Sequence, residues 1–156
     1  MKVSDILRLK GDALYTCHPD EPLDKAVEAM SSRDSGSLAV MENGELVGML
    51  TFREVMQTLA SNAGTLSGKR VRSVMDDHPM CCTSQTSIED VRPMMLEHHT
   101  RYMPVLDQKM LMGVISFYDV AKAVVDSQNF ENKMLKAYIR DWPQEQAGAS
   151  GDASAR

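Results

Sequence analysis

Two short stretches of the chain carry residue types that could hold a phosphorylated, hydroxyl-bearing ligand. They are Gly48-Met-Leu-Thr51-Phe-Arg53-Glu54 and Gly113-Val-Ile-Ser116-Phe-Tyr118-Asp119. In each, a glycine within an apolar strand pattern allows close backbone approach. A hydroxyl follows at the strand end, and then a carboxylate three residues on, in the first turn of the next helix. Free N–H groups at a helix N-terminus suit phosphate. An ionised carboxylate can accept two hydrogen bonds from vicinal ribose hydroxyls. The same S/T-x-x-D/E spacing is also a common helix cap, so one copy alone has a purely structural explanation. Its repetition at equivalent places favours nucleotide binding.

The repetition extends well beyond these residues. An offset of 65 lays Tyr15–Met56 over Met80–Ala121 without a gap. Cys17 then meets Cys82, Met30 meets Met95, Val40 meets Val105, Gly48 meets Gly113 and Phe52 meets Phe117. Each copy reads as a short extended piece, an amphipathic helix, two strands and a second helix. VSDIL at 3–7 and VRSVM at 71–75 are matching lead-ins with a slightly different spacing. Leu23, Ala26, Val27 and Met30 follow a helical stripe opened by Pro22. SLAVM (37–41) and LVGML (46–50) flank Asn43-Gly44, a tight-hairpin signal. In the second copy Ser87-x-x-Asp90 resembles a capping box before Ile88, Val91 and Met95, and Pro93 predicts a local distortion of that helix. YMPVL (102–106) and LMGVI (111–115) form the second strand pair.

A unit of about 60 residues buries little surface alone, so the two copies should pack face to face. The expected architecture is α/β (α+β): two pseudo-twofold-related β-α-β-β-α repeats over 1–66 and 67–126, with clefts at their seam. Residues 57–70 read as a Ser/Gly-rich linker. A C-terminal helix is expected over 127–143, with an apolar stripe of Phe130, Met134 and Tyr138. Residues 144–156 lack any apolar period and read as a disordered tail.

Composition narrows the function classes. The chain has 156 residues and a net charge of −5, with no basic block, which argues against duplex nucleic acid as a partner. No apolar run approaches the roughly 20 residues of a membrane helix. Three cysteines in this length argue against a disulfide framework. The expectation is a soluble, reduced, cytoplasmic protein. The 13 methionines fall mostly at periodic apolar positions and read as core filler. Cys81-Cys82 with His78, His98 and His99 lacks metal-ligand spacing. No nucleophile with an evident base is present, so an enzyme is not expected.

The two GxxS/T-x-x-D/E endings, the RYMPVLD segment at 101–107 and the lead-ins resemble a tandem cystathionine-β-synthase-type (CBS) domain pair over residues 3 to about 126. The segment AVVDSQNFENKMLKAYI at 123–139 resembles small stand-alone bacterial CBS-pair proteins. The resemblance implies an adenine-nucleotide ligand: AMP first, then ADP, ATP or NAD(H), with S-adenosylmethionine also found in the family. It matches Asp119 to the ribose-binding aspartate and Ser116 to its hydroxyl neighbour, with Tyr118 between them. Arg101 matches a basic position that meets phosphate, and Leu7, Leu38 and Ala39 match apolar adenine walls. Thr51, Arg53 and Glu54 form a second cleft that departs from the family pattern. There Glu54 replaces Asp, Gly36 takes the place of Arg101, and Ala39 that of the proline. The resemblance also implies a homodimeric disc that reports ligand binding to a protein partner. The competing expectation is a ligand-free module that dimerises and docks a partner.

Overall fold

A computed structural model describes residues 1–11 and 13–140. Its elements reproduce the offset of the sequence repeat to the residue. Helix α2 (Leu23–Ser32) and α5 (Ile88–Glu97), β2 (Ser37–Glu42) and β4 (Tyr102–Asp107), and β3 (Glu45–Thr51) and β5 (Met110–Ser116) each lie 65 positions apart. Both hairpins carry an irregularity at the same place, between Val40 and Met41 and between Val105 and Leu106. The first turns through Asn43 and Gly44 at φ of 54° and 78°. The second uses Gln108 and Lys109 at 50° and 72°, so its geometry is imposed by strand pairing rather than by turn residues.

β1 (Thr16–Cys17) adds a parallel strand beside β2, giving the order β1-β2-β3. Its counterpart in the second copy is the single parallel bridge of Cys82 to Val105 beside β4-β5. Helix α5 passes through Pro93 without ending, capped by Ser87, whose Oγ accepts the Asp90 N–H at 3.3 Å. Met30, Met49, Met95 and Met103 are fully buried, whereas Met56, Met110 and Met134 are exposed. Methionine therefore serves both as core filler and as surface.

The lead-ins α1 (Val3–Lys10) and α4 (Val71–Val74) are exchanged between the copies. The Val71 N–H donates to Glu21 O at 3.0 Å, Arg72 to Pro19 O at 2.7 Å, and Leu23 to Lys69 O at 2.9 Å. The same three bonds recur in the opposite direction: Val3 to Thr86 O at 2.9 Å, Ser4 to Ser84 O at 2.8 Å, and Ile88 to Met1 O at 3.1 Å. Val71 is fully buried within the core of Leu23, Met30, Leu38 and Leu50, and Val3 is fully buried in its turn. Each repeat is thus completed by a segment from the other.

α3 (Phe52–Ser61) takes up the first part of the segment expected as linker, because Thr58 is buried and its hydroxyl donates to Glu54 O at 2.8 Å. The helix that opens at Phe117, α6 (Phe117–Arg140), is continuous across position 127, so the expected C-terminal helix is its extension. Its end at 143 and the tail 144–156 lie outside the described residues. The chain divides into two compact units, Met1–Val120 and Ala121 onward. Taken by itself, the second carries Phe130, Met134, Leu135, Tyr138 and Ile139 exposed on α6. No described helix is long and apolar enough to cross a membrane.

If the exchanged lead-ins lock the repeats together, Val71→Ala and Val3→Ala should each cost about 2 kcal/mol, although each residue lies far in sequence from the core it fills. Denaturant unfolding followed by circular dichroism would show one shared transition moving to lower denaturant. Two separate transitions would contradict this.

Candidate functional site

The clefts on the seam follow from how β3 and β5 run into α3 and α6. At the second ending, Ser116 Oγ accepts the Asp119 N–H at 3.0 Å, and Asp119 Oδ2 accepts the Ser116 N–H at 2.8 Å. This reciprocal box fixes the first turn of α6 and sets the carboxylate directly behind Ser116 and Tyr118, which line the adjoining cavity, while Asp119 itself is not among the lining residues. Lys10 Nζ, from the end of α1, lies 2.7 Å from the same Oδ2 and donates to Val114 O at 2.8 Å. The polar contacts of the Asp119 carboxylate among the described residues fall on Oδ2, and the side chain is largely buried, at 15% exposure. Lys10 was not anticipated by sequence reasoning. The shorter lead-in α4 ends at Val74, so the repeat offers no counterpart to signal it.

The cavity at this ending is about 520 Å³ and is lined by Lys10, Arg101, Ser116 and Tyr118. Across the seam, Asp34 to Ser37 from the first copy form its opposite wall. Its apolar surface comes from Ala13, Leu14, Tyr15, Val114 and Phe117. The expected adenine walls lie elsewhere. Leu38 and Ala39 have no exposed surface, being interior residues of the central strand β2. Leu7 packs on Gly113, where a Cβ would meet Leu7 Cδ2 at 2.7 Å, and it lines a neighbouring cavity of about 390 Å³ instead. Gly48 plays the matching part in the first copy, where a Cβ would lie 2.8 Å from both Asp76 O and Met75 Sδ. The glycine of each motif therefore admits the exchanged lead-in.

The first ending builds an equivalent box. Glu54 Oε1 accepts both the Thr51 N–H and the Thr51 hydroxyl at 2.8 Å, so the extra methylene is taken up within the cap. The adjoining cavity is larger, about 770 Å³, and Arg53, His98, His99 and Arg101 line it beside Glu54 and Asp76. Gly36 does stand where the second copy has Arg101, yet Arg101 reaches this cleft from across the seam, because it borders both cavities. Burial pushes the Tyr102 phenol up, with the Arg101 charge opposing, and Tyr102 likewise lines both.

Other reactive groups are held out of play. Burial pushes the Cys17 and Cys82 thiols up to about 12, which leaves little thiolate for nucleophilic or metal chemistry. One cluster of potential metal ligands occurs among the described residues: His18, Asp20 and Glu42. Arg72 already meets it, with Nε at 3.2 Å from Asp20 and Nη2 at 2.5 Å from Glu42. The Arg72 guanidinium holds the Asp20 carboxyl below its ordinary range.

The model of the CBS domain matches residues 3–61 and 71–126, once for each repeat. The chain is a CBS-domain pair. The CBS domain-containing protein YhcV of Bacillus subtilis is 31% identical over 107 residues, which are 68% of this chain and 75% of that protein. The crystal structure of a CBS-domain containing protein from Agrobacterium tumefaciens superposes with a TM-score of 0.75 at 25% identity, covering 79% of this chain and 98% of that one. The CBS-pair protein CBSX2 of Arabidopsis thaliana was solved in complex with AMP. It shares the fold with a TM-score of 0.67 at 24% identity, over 81% of this chain and 98% of that one.

The unequal neighbours of the two motif glycines in this CBS pair give a direct test. Gly48→Ala presses on backbone and should lose about 1–3 kcal/mol, whereas Gly113→Ala meets only the tip of Leu7 and should lose less. Thermal melts of the two variants side by side check the order. Equal losses would place the lead-ins differently.

Proposed function

We propose that this CBS pair is a non-catalytic regulatory module that binds an adenine nucleotide in the seam, with AMP the leading ligand and ADP, ATP or NAD(H) as further ones. The observation that carries the reading is the Asp119 ending. One carboxylate oxygen caps α6 and pairs with Lys10, while the other has no polar partner among the described residues and is assigned here to a ribose hydroxyl, with Arg101 in the adjoining cavity suited to phosphate. The AMP held by CBSX2 supports the choice of ligand. Because the cleft walls come from both repeats, ligand bridges them. It shifts the arrangement only to the extent that it binds one state better than another. A homodimer and a protein partner complete the proposal, with the exposed stripe of Phe130, Met134 and Tyr138 as the dimer-forming or partner-docking face.

Thermal-shift measurements with AMP, ADP, ATP, NAD, NADH and S-adenosylmethionine separate this reading from a ligand-free docking module, which none of them would stabilise. Asp119→Asn keeps an acceptor for the Ser116 N–H but loses the charge. It should melt near the parent while binding AMP roughly ten- to a hundredfold more weakly, the loss of a charge-assisted contact. Asp119→Ala should lose the same affinity and, in addition, about 1 kcal/mol of stability as the cap goes. Calorimetry showing parental AMP affinity in both variants would remove ribose from this carboxylate.

The dimer proposal is tested by truncation. Deleting residues 128–156 should shift the oligomer in light scattering or lower the melting temperature, whereas deleting 144–156 should change neither. An unaltered oligomer and melt after the longer deletion would rule out that role for the stripe.

A further inference from the structure

Among the described residues one guanidinium, that of Arg101, borders both clefts of the seam. The Phe117 N–H donates to Arg101 O at 2.8 Å, and the Phe52 N–H donates to Gly36 O at 3.2 Å, so Arg101 and Gly36 occupy equivalent places either side of the pseudo-twofold. Only one of them brings a charge. The space a side chain at Gly36 would need is taken by the Tyr102 phenol, whose Oη lies 1.7 Å from an ideal Cβ there. Arg101 is exposed, lines both cavities, and makes no ion pair with a carboxylate among the described residues. The other cations are confined: Lys10 to Asp119 and Val114 O, Arg53 to the Glu54 cleft.

We infer that Arg101 is a phosphate ligand shared by the two clefts, so that a nucleotide phosphate bound in one weakens binding of a phosphate in the other. This rests on the nucleotide reading above and adds a regulatory link to it. A guanidinium drawn to one phosphate is withdrawn from its neighbour, and two like charges on the same seam also repel. The link is reciprocal, because coupling between two binding sites is a single free energy. It depends on phosphate, so adenosine should bind the two clefts independently, and added salt should reduce the coupling for AMP.

Calorimetric titration of the full chain tests this with AMP and adenosine as probes. Asp119→Asn and Glu54→Gln each weaken one cleft and isolate the other. The isolated cleft should bind AMP about tenfold more tightly than the same cleft does as the second event in the parent chain, within the usual span of site–site coupling. Where the parent shows one AMP event only, weakening that cleft should reveal the other. Arg101→Gln should weaken AMP at both clefts and abolish the difference, and adenosine should show no difference in any variant. AMP affinities at each cleft that are the same with the other filled or disabled overturn the inference but leave nucleotide binding standing. So does a coupling that survives Arg101→Gln. Failure of both AMP and adenosine to bind the parent chain removes the nucleotide reading itself, and the shared arginine with it.

Discussion

The exchange of lead-in segments is the constraint on which the rest of this CBS pair depends. Backbone hydrogen bonds run from each copy to the other in both directions, tying Val71 into the core of the first repeat and Val3 into that of the second. Each repeat's core includes a leading residue of the other, so the pseudo-twofold arrangement is built into both cores. The motif glycines follow from it, since the close approach they allow is made by Leu7 on Gly113 and by Met75 and Asp76 on Gly48. The clefts follow too, because the strand ends brought together at the seam open into α3 and α6 there.

A second consequence concerns the carboxylates. Capping and ligand binding are commonly weighed as alternatives for an S/T-x-x-D/E motif. In this fold the capping contacts use one oxygen of each side chain: Oδ2 of Asp119 serves the cap and Lys10, and Oε1 of Glu54 serves Thr51, so the proposed ribose contact does not compete with the cap. A cap holds the carboxylate in one orientation before any ligand arrives, which lowers the entropy cost of using the remaining oxygen.

The paired elements were legible in the sequence because apolar periodicity and a gapless repeat are local signals. The hairpin at Asn43-Gly44 could be read from its turn residues. The one at Gln108-Lys109 could be read only through the repeat, since neither residue favours the left-handed backbone it adopts. What sequence could not supply was whatever depends on the exchange. Leu7, Leu38 and Ala39 were placed as ligand walls by resemblance, yet the exchange sets Leu7 on Gly113, and the central position of β2 buries the other two. Lys10 escaped notice because α1 runs a full turn longer than α4, so the repeat has no partner for it. The end of α3 was misjudged for a different reason: Thr58 and the serines around it are polar by composition, but Thr58 satisfies its hydroxyl on the helix backbone and is buried.

The backbone of the two halves is nearly symmetric, whereas the charges placed on it are not. Asp34 and His99 occupy equivalent left-handed positions at φ of 50° and 51°, and each lines a cavity of the seam. Gly36 answers Arg101, Arg53 answers Tyr118, and Glu54 answers Asp119. A shared scaffold makes the clefts similar in form, and these substitutions make them unequal in their attraction for phosphate. A ligand favours one arrangement of the repeats only through unequal affinity for the alternatives. Two identical clefts on a symmetric scaffold would pull equally on both halves. On the proposed nucleotide reading, the charge differences along this seam give a bound phosphate a preferred side, and with it a direction in which the pair would respond.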